Sequence, residues 1–123
     1  MSTEKQQDVF SSLKAILSPY ARQNHVVTDE ADNFQLYSPK KDKKDRDIYF
    51  GGVQIKKNYV SYHLMPVYVF PELLNDISPA LKKRMQGKSC FNFKQPDEAL
   101  FAELADLTQT CQARFDEMDS PPY

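Results

Sequence analysis

The feature that most constrains this chain is a pair of strand-like runs separated by a tight turn. Asp47 to Ile55 and Asn58 to Met65 are rich in β-branched and aromatic residues, and Lys56-Lys57-Asn58 has the polarity of a hairpin turn. In the second run Val60, Tyr62 and Leu64 alternate with Tyr59, Ser61, His63 and Met65. Strand side chains point to opposite faces in turn, so one set must meet the core, and the first set is expected to. Gly51-Gly52 interrupts the first run, and adjacent glycines in a strand signal a bulge or a close backbone approach. An antiparallel hairpin with one apolar face requires other elements to extend it and to cover that face.

Those elements are present. Val9, Phe10, Leu13, Ile16, Leu17 and Tyr20 recur every three or four residues, the spacing of one helix face. Thr3 and Gln6 have capping-box spacing at its start, and Pro19 falls where the helix must kink or stop. His25 to Thr28 and Asn33 to Tyr37 read as strands, the second ended by Ser38-Pro39. Lys40 to Arg46, five basic residues against two acidic ones, reads as a solvated hairpin tip. Val67 to Phe70 reads as extended, and Pro71 to Leu74 as a helical turn. Ser78-Pro79 should open a short helix through Met85, with Gly87 as its C-cap. Ser89 to Phe93 reads as a strand. Gln95-Pro96-Asp97-Glu98 should open a last helix whose apolar stripe is Leu100, Phe101, Leu104, Thr108, Cys111 and Phe115. This order predicts an α+β fold, an antiparallel sheet with the N-terminal and C-terminal helices packed on one face. At 123 residues the chain is expected to be a single domain spanning 1–123, ordered over about 5–117 with a frayed tail at DSPPY.

Composition narrows the function. The formal net charge is -1, which offers no global field for nucleic acid or an anionic membrane. No apolar run approaches the ~20 residues that span a bilayer, and the first residues, MSTEKQQDVF, lack the apolar stretch of a signal peptide. A cytoplasmic protein is expected. Gly87-Lys88-Ser89 ends like a phosphate-binding P-loop, but Lys82 stands where its first glycine belongs. A helix precedes Gly87 and a strand follows Ser89, the reverse of the required order, so no nucleotide is expected there. Cys90 and Cys111 lack zinc-ligand spacing and read as small buried hydrophobes.

Three sets of residues carry candidate chemistry. Tyr49, Tyr59, Ser61, His63 and Met65 share a strand face opposite the expected core and could line a groove for a small molecule or another protein. Asp29, Glu30 and Asp32 crowd one loop and could hold a hard cation, which needs several converging oxygens. Cys90 and His63 would make a hydrolase dyad if their strands were neighbours. No catalytic residue emerges from spacing alone. An exposed apolar patch on the sheet would favour a homodimer.

IYFGGVQIKKNYVSYHLMPVY, ISPALKKRMQGKSCFNFK and PDEALFAELADLT together resemble the YdhG-like family, small bacterial domains of unknown function. The resemblance covers Leu13 to Cys111. It implies a curved antiparallel sheet packed against helices and, through relatives likened to frataxin, iron as the cofactor or cargo of an iron chaperone. Frataxin-like iron binding relies on an acidic ridge on the first helix, where this chain offers Glu4 and Asp8 beside Lys5 and Lys14. The resemblance implies no catalytic residues.

Overall fold

The computed structural model describes residues 3–117, so the tail at Asp119–Tyr123 lies outside the described residues. Helix α1 (Glu4–Leu17) begins with the expected capping box. Gln6 N–H donates to Thr3 Oγ1 and Thr3 N–H to Gln6 Oε1. The chain then tightens into a 3-10 segment, Ser18–Arg22, with Pro19 in its first turn. Four strands follow, β1 (His25–Glu30), β2 (Asn33–Lys41), β3 (Asp47–Ile55) and β4 (Val60–Leu64). Helices α2 (Met65–Val69) and α3 (Pro79–Lys82) flank a 3-10 turn at Pro71–Leu74. Strands β5 (Met85–Gln86) and β6 (Cys90–Phe93) then lead to the long helix α4 (Glu98–Glu117). The six strands form one sheet in the order β1-β2-β3-β4-β6-β5, and every pairing is antiparallel. This is the α+β architecture expected from the element order.

Both long helices lie on one face of the sheet. Val9, Phe10, Leu13 and Leu17 of α1 and Leu104, Cys111 and Phe115 of α4 join Leu36, Phe50, Val53, Val60, Tyr62, Leu64 and Phe91 in one buried cluster. Pro66 and Val67 of α2 and Leu81 of α3 are buried as well. Inside this core Tyr62 Oη lies 2.7 Å from Thr108 Oγ1, which itself donates to the Leu104 carbonyl. The buried hydroxyl thus keeps a partner, as buried polar groups must. Lys40 ties the sheet to the end of α4. Its Nζ donates to the carbonyl oxygens of Phe115 (2.6 Å) and Asp116 (3.0 Å), where a helix presents unpaired acceptors and a negative dipole end.

Several boundaries differ from those expected. Strand β2 runs through Pro39 to Lys41. Strand β1 stops opposite Tyr37, so no partner on that side requires the proline's missing N–H. Val67–Val69, expected to be extended, is helical. Pro66 occupies the first turn, where a proline costs no hydrogen bond, and Phe70 N–H donates to its carbonyl. Helix α3 stops at Lys82, because Met85 and Gln86 pair with β6. Gly87 therefore serves the β5–β6 turn, at φ +76°, and is not a helix cap. The Lys40–Arg46 tip is organised by one buried acid. The Asp42 carboxylate accepts N–H groups from Lys44 and Arg46 and pairs with the Arg46 guanidinium.

A bulge in β3 positions the rest. Leu36 pairs with Gly51 and Tyr37 with Tyr49, which leaves Phe50 as an extra residue. Phe50 and Gly51 both face the core, while Tyr49 and Gly52 face the other side.

Candidate functional site

The face away from the helices is polar. Register places Gln35, Gly52, His63 and Cys90 in one row across four strands, with Gln54, Ser61 and Asn92 in the next. Gly52 leaves a vacancy that its neighbours fill, since a Cβ there would fall 1.9 Å from Gln35 Oε1 and 2.6 Å from Tyr49 Oη. Into that space Tyr49 donates its hydroxyl to Gln35 Oε1 at 2.5 Å, and Gln35 Nε2 donates to Asn33 Oδ1 at 2.6 Å. Burial pushes the Tyr49 pKa far above the ordinary tyrosine value, so the hydroxyl remains a donor at any physiological pH. The Tyr49 ring stands edge-on to Tyr37, with centroids 5.2 Å apart, and to His63 at 6.2 Å.

Beside this cluster the β4–β6 register sets His63 opposite Cys90. The Cys90 sulfur lies 2.6 Å from His63 Nε2 and 3.2 Å from Nδ1. Cys90 is half-buried on the polar face, a correction to its expected place as a packed hydrophobe, whereas Cys111 is fully buried in the core. Burial lowers the His63 pKa, and the nearby Lys56 charge lowers it further. Burial raises the Cys90 pKa, partly offset by the Ser61 hydroxyl and Lys56. Both shifts favour the neutral forms. The pair is therefore a thiol beside an imidazole, not the thiolate and imidazolium of an activated cysteine.

The five expected groove residues separate. Tyr49, Ser61 and His63 share the polar face, but Ser61 is buried between its neighbours. Tyr59 belongs to the hairpin turn, where its carbonyl accepts the Lys56 N–H, and Met65 opens α2. Both were expected on the strand, and both lie outside it because β4 spans only Val60–Leu64. Met65 nevertheless meets Tyr49 at a cavity of about 340 Å³, lined also by Tyr37, Ile48 and Tyr68 and rimmed by Asp42, Arg46 and Asp47. Tyr68 is 54% exposed, one of three large apolar side chains so placed among the described residues. Spacing did not single out Tyr37 or Tyr68. The alternation of Asn33 to Tyr37 could have found Tyr37, since it sets that ring on the face of Gln35.

The acidic group is not gathered. Asp29 and Glu30 are consecutive on edge strand β1 and so point to opposite sides, and Asp32 lies in the following turn. Asp29 is engaged by Lys14 at 2.7 Å. Among the described residues no three His, Cys, Asp or Glu side chains are grouped to hold a metal ion. Nor, among them, is any helix long and apolar enough to cross a membrane.

The fold and this face define an α+β domain whose helices cover one side of an antiparallel sheet and leave a polar, tyrosine-bordered side open. Compared with family models, curated proteins and solved structures, the chain matches none.

Proposed function

We propose that this protein is a non-catalytic cytoplasmic binding module that takes a small organic ligand at the Tyr37–Tyr49–Met65–Tyr68 cavity. The observation that carries this reading is the convergence of three tyrosines and a methionine on a concave site beside a sheet face that no helix covers. Its volume, about 340 Å³, falls at the lower end of ligand sites, which run to roughly 300–1,000 Å³. Covering Tyr68 would remove apolar surface from water, and tyrosines supply flat contact area with few rotatable bonds. The Tyr49–Gln35 hydrogen bond holds one wall fixed before a ligand arrives, which reduces the entropy lost on binding.

The neutral thiol–imidazole pair supports a binding role over hydrolysis, because nothing beside Cys90 lowers its pKa far enough to make a nucleophile. The iron-chaperone alternative would rest on Asp29, Glu30 and Asp32, of which Asp29 is already paired with a lysine. The test is native mass spectrometry of protein purified gently from its own host, followed by the Tyr68→Ala variant. An organic adduct is expected on the wild type and is expected to be lost from Tyr68→Ala, whose exposed position leaves folding intact. An adduct that survives both Tyr68→Ala and Tyr37→Ala would remove the cavity from consideration. An iron adduct would favour the alternative.

A further inference from the structure

The segment from Ile77 to Pro96 contains no acidic residue and carries Lys82, Lys83, Arg84, Lys88 and Lys94, in a chain where acids outnumber bases 17 to 16. Charge is therefore strongly segregated, although the molecule is nearly neutral as a whole. The four ion pairs among the described residues join Lys14 to Asp29, Lys41 to Asp47, Arg46 to Asp42 and Arg114 to Glu72, and none uses a cation of this segment. Lys88 lies over the Tyr68 ring. Lys83, Arg84 and Lys94 instead border a cavity of about 510 Å³ between α3, the end of β6 and the start of α4, whose apolar floor is Ala80, Phe93 and Leu100. Like charges gathered without partners repel one another, and an anion between them relieves that repulsion.

The frame beneath the cations is fixed. Lys83 N–H donates to the Pro79 carbonyl, Arg84 N–H to Leu81, and Asn92 N–H to the Arg84 carbonyl at 2.8 Å. The one acid of the cavity, Asp97, accepts the Leu100 N–H at 3.1 Å and so caps its own helix. That first-turn amide is not available to a ligand, and the proposed grip rests on side chains. One guanidinium offers a planar fork for two oxygens of a tetrahedral anion, and two ammonium groups add mobile point charges.

We propose that this cavity binds a phosphate-bearing small molecule, with Arg84 gripping the phosphate, Lys83 and Lys94 flanking it, and the Ala80–Leu100 floor accommodating whatever the phosphate is attached to. The proposal is independent of the tyrosine-lined cavity.

The test is an amide NMR titration of the full chain with inorganic phosphate and with ribose 5-phosphate, at fixed ionic strength. Saturable shifts confined to Lys83, Arg84, Lys94 and Leu100 are expected for both, with a midpoint at or below about 1 mM for at least one. Arg84→Gln should weaken that midpoint about tenfold, because a charge-assisted bidentate contact is lost. Lys43→Gln on the distant hairpin should leave it unchanged. All three cations of the cavity are exposed, so the variants keep their melting temperature. Tighter binding of the sugar phosphate would identify an organic ester as the ligand, and equal binding would identify free phosphate. Shifts that fail to saturate by about 10 mM, that appear equally at Lys43 and Lys44, or that ignore Arg84→Gln would overturn the proposal.

Discussion

A Cβ built on Gly51 would lie 2.7 Å from the carbonyl oxygen of His63 on the neighbouring strand. That oxygen belongs to a paired backbone and cannot swing aside, and Leu64 and Leu17 close the space behind it. The adjacent Gly52 is different, since its obstruction is the far end of the Gln35 side chain. Gly51→Ala should therefore cost about 2–3 kcal/mol, as overpacking does when the backbone must shift. Gly52→Ala should cost about 1 kcal/mol, the worth of the displaced Tyr49–Gln35 hydrogen bond. Urea denaturation of the two variants checks the order. Equal losses would mean that the β3–β4 spacing is not the constraint.

The Tyr62–Thr108 hydrogen bond gives an asymmetric pair of variants. Thr108 Oγ1 already donates to Leu104, so the Tyr62 hydroxyl must be the donor to it. Tyr62→Phe removes that donor and leaves Thr108 with its backbone partner, a loss of about 1 kcal/mol. Thr108→Val leaves a fully buried tyrosine hydroxyl without an acceptor, a loss of about 2–3 kcal/mol. In the double variant the unpaired group is gone, so its loss should be smaller than the sum of the two. Additive losses would show that the hydroxyls do not act as a pair.

Much of this fold is visible in periodicity. The β3–β4 hairpin, the core set Val60, Tyr62 and Leu64, and the stripes of α1 and α4 follow from spacings of 2 and 3.6, because each of these elements has one face in the core. The segments that depart from their local pattern are short. Val67–Val69 and Met85–Gln86 are too brief for a period to register, and tertiary pairing decides them. Gly87 and Pro39 have the local sequence of a helix cap and a strand end, but the pairing of β5 with β6 and the early stop of β1 change their context. The candidate site was half legible. The alternation of β4 sets His63 opposite the core face, whereas the placing of Tyr49 depends on the Phe50 bulge and the Cys90–His63 contact on the β4–β6 register, neither of which a local pattern encodes.

Acid should destabilise the protein through His63. Burial holds its folded pKa below the ordinary value of about 6.5, so the unfolded chain takes up the proton first. The stabilisation is fully present above about pH 6.5 and is lost as pH falls through the folded pKa. His63→Gln should keep a neutral, hydrogen-bonding side chain opposite Cys90 and flatten the stability profile as pH falls below about 6.5. Chemical denaturation across that range measures the slope. An unchanged slope in His63→Gln would assign the acid loss to other groups.

Alkali should act through the two thiols, in the opposite sense. Burial raises the Cys90 pKa and pushes Cys111 up to about 12, so both thiols hold their protons to higher pH in the folded chain than in the unfolded chain, which releases them from about pH 8.5. Stability is present below that value and declines as pH rises, by at most about 1.4 kcal/mol per pH unit for each thiol. Tyr49 and Tyr62, also raised by burial, join only above about pH 10. The interval between about pH 8.5 and about pH 10 therefore belongs to the cysteines. Cys111→Ala should cost about 1–2 kcal/mol at neutral pH for the cavity it leaves, yet show a shallower decline than the wild type across that interval. A thiol-specific disulfide reagent at mildly alkaline pH should modify half-buried Cys90 slowly and reach Cys111 only at the rate of global opening. Rapid modification of both thiols in the folded protein would mean that neither is held as these shifts require.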